Sequence, residues 1–259
     1  MIFETHAHFD DDAFSEDLEE VLAQVRGAGV TRVVDIASDV RSIDRCLALT
    51  EQYAQETDDH PAFLCALGIH PTECGELTEE ILREIEEKAK APRVVAVGEI
   101  GLDYYWDTPE REKQRKWFVR QLEMAMELDK PVVIHSRDAA EETFRILEEH
   151  YHGTGVIHCY SYSAEMAKEY VKRGWFIGVG GVVTYKNARK LKETVEQVPL
   201  SQIVLETDCP YLSPTPHRGK RNRSANLPLV AEEIARIRGI TAEEVCSITY
   251  DNACRLYRI

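Results

Sequence analysis

Six side chains of metal-ligand type each close an apolar run: His6 and His8 after Met1-Ile2-Phe3, Glu99 after Val94-Val95-Ala96-Val97, His135 after Val132-Val133-Ile134, His158 after Val156-Ile157, and Asp208 after Ile203-Val204-Leu205. Imidazole nitrogens and carboxylate oxygens hold divalent ions, and such ions make water acidic enough to attack near neutral pH. The chemistry indicated is metal-assisted hydrolysis. His6 and His8 stand at i, i+2, which on a strand puts both rings on one face. His-x-His alone is a weak signal, and a lone core histidine is usually a satisfied hydrogen-bonder. The weight here comes from number. Glu99 ends a fully apolar strand and needs a partner, either an arginine or a pair of ions that it bridges. The bridging position accounts better for four histidines and Asp208. Asp208 has two readings: a ligand that also accepts a proton from the attacking water, or the N-cap of a helix in the next loop, which Pro210 suits.

Side chains this far apart in sequence converge only if their strands run in parallel with their C-terminal ends on one face. Apolar runs alternate with helix-period segments along the whole chain, the signature of βαβ units. The pattern predicts eight strands with cores at 2–5, 32–37, 62–68, 94–99, 131–135, 155–159, 175–179 and 202–207. Eight such units in 259 residues predict a single-domain (β/α)8 TIM barrel. The helices carry their own signals. Ser15 is expected to cap a helix with Leu18, Val21, Leu22 and Val25 inward, ending at Gly27. Thr108-Pro109 is expected to open a long helix with Trp117, Phe118 and Leu122 inward, and Thr241 with Glu244 forms a capping box.

Composition bounds the function. No apolar run approaches the ~20 residues of a membrane span, and the net charge of -15 argues against the broad basic footprint of a non-specific duplex binder. It does not exclude a nucleic-acid substrate, because two divalent ions held by two carboxylates leave a locally positive site. The sequence shows no Gly-x-Ser-x-Gly elbow, P-loop or dinucleotide fingerprint. Seven cysteines without a Cys-x-x-Cys pair read as free thiols, and with no leader-like opening segment the expected location is cytoplasmic. Cys159 and Cys209 each follow a proposed ligand and are expected to face away from it, buried.

Across essentially its whole length the chain resembles the TatD-like metal-dependent deoxyribonucleases. The resemblance is carried by Glu4-Thr5-His6-Ala7-His8, Gly68-Ile69-His70-Pro71, Gly98-Glu99-Ile100-Gly101-Leu102-Asp103, His135-Ser136-Arg137, His158-Cys159-Tyr160-Ser161, Glu206-Thr207-Asp208-Cys209-Pro210-Tyr211-Leu212 and Arg218-Gly219-Lys220-Arg221-Asn222. It implies that His6, His8, Glu99 and Asp208 hold one ion, and that Glu99, His135 and His158 hold the other. Asp208 would then serve as the base, with Glu99 the second catalytic carboxylate. It further implies hydrolysis of DNA phosphodiesters, often from single-stranded ends, with magnesium supporting turnover and zinc or manganese as other possible occupants. Glu4 stands where the family usually has aspartate, and Arg223-Ser224 replaces the usual continuation of the last loop. Glu4 is expected to support the ligands or to be structural, leaving metal binding intact; the second departure bears on substrate preference.

Substrate contacts are expected from His70, Arg137 and Arg218. His217, Arg218, Lys220, Arg221 and Arg223 cluster as a phosphate clamp or as a solvated loop. Arg137 is either a clamp or a brace for the helix start at Asp138 and Glu141, and His70 touches substrate, supports the ligands or is a satisfied structural histidine. Tyr104-Tyr105-Trp106 either stacks an unpaired base or, the reading favoured from sequence, packs beneath its loop. Two other function classes stay open. One is a hydrolase of amides or esters on the same barrel; the other is a non-catalytic scaffold, which a missing ligand would have supported.

Overall fold

A computed structural model of the chain describes residues 1–106 and 108–259. Its elements alternate as β1 (Ile2–Ala7), α1 (Leu18–Gly27), β2 (Val30–Ile36), α2 (Val40–Gln52), β3 (Ala62–Leu67), α3 (Glu79–Ala89), β4 (Val94–Asp103), α4 (Arg111–Glu127), β5 (Val132–Arg137), α5 (Ala140–His150), β6 (Gly155–Ile157), α6 (Ala164–Lys172), β7 (Phe176–Val179), α7 (Arg189–Gln197), β8 (Ile203–Leu205), α8 (Leu227–Arg238) and α9 (Ala242–Tyr257). The eight strands form one parallel sheet in sequential order. β8 returns to β1 through the Asp208 N–H to the His6 carbonyl at 3.0 Å and the His8 N–H to the Cys209 carbonyl at 2.9 Å. Those two bonds close the barrel at its C-terminal mouth, so the single-domain (β/α)8 expectation holds.

Strand alternation divides the core in two. Phe3, Val34, Ala96, Val133, Val156, Phe176 and Val204 fill the barrel interior, while Val33, Leu67, Val97, Ile134, Ile157, Ile177 and Leu205 face the helices. Both faces are buried, which is why the strands read as continuous apolar runs. α9 plugs the N-terminal end with Leu256 and Tyr257. Tyr257 donates to the Thr5 carbonyl at 2.8 Å, and Asn252 donates to the carbonyls of Leu200 and Ile203 at 2.8 and 2.7 Å.

The helix starts correct two expectations. α1 begins at Leu18 behind Asp17, and Ser15 instead ends a short 3-10 turn, its hydroxyl donating to the Asp12 carbonyl. α1 ends at Gly27 as expected, and the left-handed residue that follows is Gly29. α4 begins at Arg111 behind Glu110 rather than at Pro109. A capping side chain competes with every other local partner, so a cap signal places a helix start only within a few residues. The Thr241–Glu244 box is formed as expected. Among the described residues, no helix is long and apolar enough to cross a membrane.

Candidate metal centre

The six proposed ligands meet at the mouth of the barrel, and local irregularities aim them. β1 slips in its pairing with β2 between Glu4 and Ala7, and β4 slips against β5 between Val97 and Ile100. Such bulges turn side chains at barrel rims. His6 and His8 bring their Nε2 atoms within 3.2 Å of each other. The His8 Nδ1–H donates to the Ile36 carbonyl at 2.8 Å, so in the neutral ring the Nε2 lone pair faces the site. Asp208 Oδ1 lies 3.3 Å from His8 Nε2 and 3.8 Å from His6 Nε2.

Glu99 faces two ways. Its Oε2 is 3.5 Å from His6 Nε2, while its Oε1 is 2.8 Å from His135 Nδ1 and 3.7 Å from His158 Nε2. Each oxygen therefore addresses a different set of imidazoles, as a bridging carboxylate must. Close backbone approach makes this possible: at Gly101, with φ +147°, a Cβ would stand 1.9 Å from the His135 carbonyl. The His6 and His158 rings stack with centroids 3.4 Å apart, and His158 Nε2 is 3.8 Å from Asp208 Oδ1. Asp208 and Cys159 both hold left-handed backbone, with φ of 58° and 45°. Such strain in non-glycine residues concentrates at functional sites.

Two carboxylates without an assigned role in the sequence reading orient these rings. Glu206 Oε2 lies 3.2 Å from His158 Nδ1, and its Oε1 accepts the Cys159 N–H at 2.6 Å. Gly178 leaves the room, since a Cβ there would sit 2.3 Å from that carboxylate. Asp103 Oδ2 lies 3.1 Å from His135 Nε2. Both acids end apolar runs, the same signal that marked Glu99 and Asp208. Glu4 is structural, as expected: it accepts from the backbone of His6 and Thr207 and from the Thr207 hydroxyl, tying β1 to the segment after β8. Burial pushes its carboxyl up to about 7.

Protons crowd this cluster. Burial lowers His8 and His158, but facing carboxylates outweigh it, raising His8 to about 9 through Asp208 and Glu99 and His158 to about 10 through Glu206 and Glu99. His135 also rises, with burial opposed by Asp103 and Glu99. Burial would raise Glu99 and Asp208, yet imidazoles hold both low: His158 and His6 act on Glu99, and His8 and His158 on Asp208. His6 moves down under burial and the positive His158. Protons thus supply the positive charge that the two carboxylates demand.

The donor set fits divalent ions. Two ligands each about 2.1 Å from one ion stand roughly 3–3.4 Å apart, and the His6–His8 and His8–Asp208 separations of 3.2 and 3.3 Å match. The buried His6 Nδ1 has no hydrogen-bond partner among the described residues, and its Nε2 faces His8 Nε2 and Glu99 Oε2.

The expected substrate residues divide. A cleft of about 920 Å³ opens over the site, lined among others by His8, His70, Glu99, His135, Arg137 and Asp208. His70 accepts the Thr72 N–H at Nδ1, and burial beside His135 lowers it to about 3. Its Nδ1 also lies 2.8 Å from the Thr72 hydroxyl, which donates to Glu73. Arg137 lies at the rim, its guanidinium 3.8 Å from the Tyr105 ring centre. Arg218 is not among the cleft residues; it stacks on Tyr185 at 4.2 Å. Arg221 is turned to α1 by Asp17, and Arg223 by Gln24, so neither joins a clamp. Two packing expectations also change. Cys209 is buried, but Cys159 lines the cleft beside His158 and Asp208, because its left-handed backbone breaks strand alternation. Tyr105 and Trp106 are exposed, and only Tyr104 packs. No helix follows Asp208 before the short turn at Ser224, which removes the N-cap reading.

Comparisons with known proteins bear on the family and the fold. The family model described as TatD related DNase matches residues 3–258. The uncharacterized metal-dependent hydrolase YabD of Bacillus subtilis (strain 168) is 41% identical over 100% of both chains. The similarly named YcfH of Escherichia coli (strain K12) is 33% identical, covering 100% of this chain and 96% of its own. The crystal structure of YjjV, a TatD homolog from Escherichia coli K12, superposes with a TM-score of 0.91 at 33% identity, covering 100% of this chain and 98% of that one. Matched end to end in sequence and in fold, the chain belongs to the TatD-related DNase family.

Proposed function

We propose that this chain is a metal-dependent hydrolase that cleaves phosphodiester bonds at the ends of DNA strands. The observation that carries the reading is Glu99, whose two oxygens face separate imidazole sets on the floor of an open cleft. The family's description names DNA, and the relatives' names supply metal-dependent hydrolysis. His6, His8, Glu99 and Asp208 would hold one divalent ion, and Glu99, His135 and His158 the other. When bound, such a pair polarises a phosphoryl oxygen and lowers the pKa of water, with magnesium, manganese or zinc able to serve.

The protein's own groups do the rest. Asp208 is ionised at neutral pH, and its side chain keeps 18% exposure to the cleft, so it can take the proton of an attacking water. Glu206 and Asp103 hold the rings of His158 and His135 in place. His70 lines the cleft as a neutral ring that can meet substrate without adding charge, and Arg137 offers a cation at the rim.

The test is nucleotide release from 3′- and 5′-labelled single-stranded DNA with magnesium or manganese, against a chelator control. Metal-dependent release is expected, and the label lost first gives the polarity. Protein that binds ions yet releases nothing would overturn the phosphodiester reading.

A further inference from the structure

The turn after β4 places three aromatic side chains in sequence, and they do different work. Tyr104 packs: its hydroxyl donates to Glu142 at 2.5 Å, and the Arg111 guanidinium lies 4.3 Å from its ring. Tyr105 and Trp106 stay 55% and 61% exposed, their rings meeting edge to face at 5.1 Å. The other two tryptophans, Trp117 and Trp175, are 3% and 4% exposed. Burying a ring of that size stabilises a fold by a few kcal/mol, so two adjacent rings left in water contribute little to folding. Arg137 covers them, 3.8 Å from the Tyr105 ring centre and 5.9 Å from that of Trp106. Both Arg137 and Trp106 line the same cleft as His135 and Asp208.

This turn is built into the metal centre. Asp103 Oδ1 accepts the N–H groups of Tyr105 and Trp106 at 3.0 and 3.1 Å, while its Oδ2 lies 3.1 Å from His135 Nε2. Gln114 fixes the Asp103 backbone from both sides, accepting its N–H at 2.8 Å and donating to its carbonyl at 2.9 Å. One carboxylate therefore sets the position of an imidazole and of an aromatic surface together.

We infer that Tyr105 and Trp106 form a stacking subsite for one unpaired base of the strand whose phosphodiester lies at the metal centre, with Arg137 spanning ring and phosphate. The inference rests on the phosphodiester reading and adds the subsite that registers the strand. A nucleic-acid strand alternates flat bases with anionic phosphates, and this rim alternates exposed rings with a cation beside the ligands. A paired base stays stacked inside its helix and cannot reach the rings, so the subsite selects single-stranded or frayed ends.

Trp106 is the one well-exposed tryptophan, so its fluorescence reads the subsite directly. Asp208→Asn protein with magnesium would be titrated with a thymidine pentanucleotide and with an abasic strand of equal length. Quenching by the first alone, abolished in an added Trp106→Phe change, is expected; no quenching by the pentanucleotide overturns the subsite. Hydrolysis of both strands by the wild type, Trp106→Ala and Trp106→Phe supplies the second arm. Trp106→Ala should raise KM about tenfold on the base-bearing strand, the scale of one stacked base, leave the abasic strand unchanged, and be largely rescued by phenylalanine. Equal KM values in all three proteins overturn the subsite and spare the phosphodiester reading. If the wild type hydrolyses no strand, that reading falls, and the fluorescence arm decides the subsite alone.

Discussion

At the N-terminal end of the barrel, Phe3, Val34, Phe176 and Val204 close against Leu256 and Tyr257 of α9; the Tyr257 hydroxyl and the Asn252 amide nitrogen donate to carbonyls, and Asn252 Oδ1 accepts from Arg255. At the C-terminal end the barrel strands lead to His6, Glu99, His158 and Asp208, ionisable groups held against one another, with two left-handed residues and two slipped strand pairings among them. One end is satisfied by packing and the other only by charge. The difference separates packing from chemistry: apolar burial holds the bottom and the helix layer, while the mouth keeps an arrangement that packing alone would not select.

Asp208→Asn should break the mouth without touching the bottom. Turnover on labelled single-stranded DNA is expected to fall by about 10²–10⁴-fold, the range for a removed general base, while thermal unfolding stays within a few degrees of the wild type. A collapse of the fold would mean that the mouth is structural after all. The complementary change is Leu256→Ala, which empties part of the plug and should cost about 2–5 kcal/mol in urea unfolding. Its turnover at low temperature is expected to stay near that of the wild type.

A smaller effect sharpens the contrast through pH. His8 and His158 are raised to about 9 and about 10 in the folded, ion-free protein, above their unfolded value near 6.5. A group raised in this way lends stability that is complete below pH 6.5 and is lost as pH rises through 9 and 10. Ion-free protein should therefore lose melting temperature between pH 6.5 and 10, with buried Glu4, raised to about 7, beginning the decline earlier. Divalent ions require the neutral rings, so loading at pH 7 should release protons and flatten the alkaline loss. Calorimetric titration in two buffers of different ionisation heat reads the released protons. Identical heats would contradict the protonated cluster.

The smallest expected effect belongs to the basic loop. Arg221 and Arg223 are occupied by Asp17 and Gln24 on the α1 side. Alanine at either position should change KM for single-stranded DNA less than twofold, whereas Arg137→Ala should raise it several-fold. A large Arg221 effect would return that loop to the cleft.

The residues differ in how readable they were, and physics says why. Strands buried on both faces must be apolar throughout, so His135, His158 and Asp208 stood out as interruptions of such runs, and the barrel follows from counting the runs. Glu206 and Asp103 end runs just as plainly, but their role depends on which imidazole faces them across the sheet, and no spacing within one strand encodes that. The direction of Arg221 was hidden for the same reason, since Asp17 is far away along the chain. Ser15 and Thr108 misplaced their helix starts because a capping side chain is a local preference that neighbouring turns override.

By itself, then, the sequence determined the alternation of strand and helix, the ligand types and the strand ends that carry them, because burial and hydrogen-bonding needs act residue by residue. Only the tertiary structure decided that Glu99 addresses two imidazole sets, that Cys159 turns into the cleft, and that Asp103 ties an aromatic turn to His135. Those outcomes depend on distances between strands, on register slips at β1 and β4 and on backbone forced left-handed at the rim. Each is a property of the closed barrel, because a side chain's direction is set by the neighbours that closure brings to it.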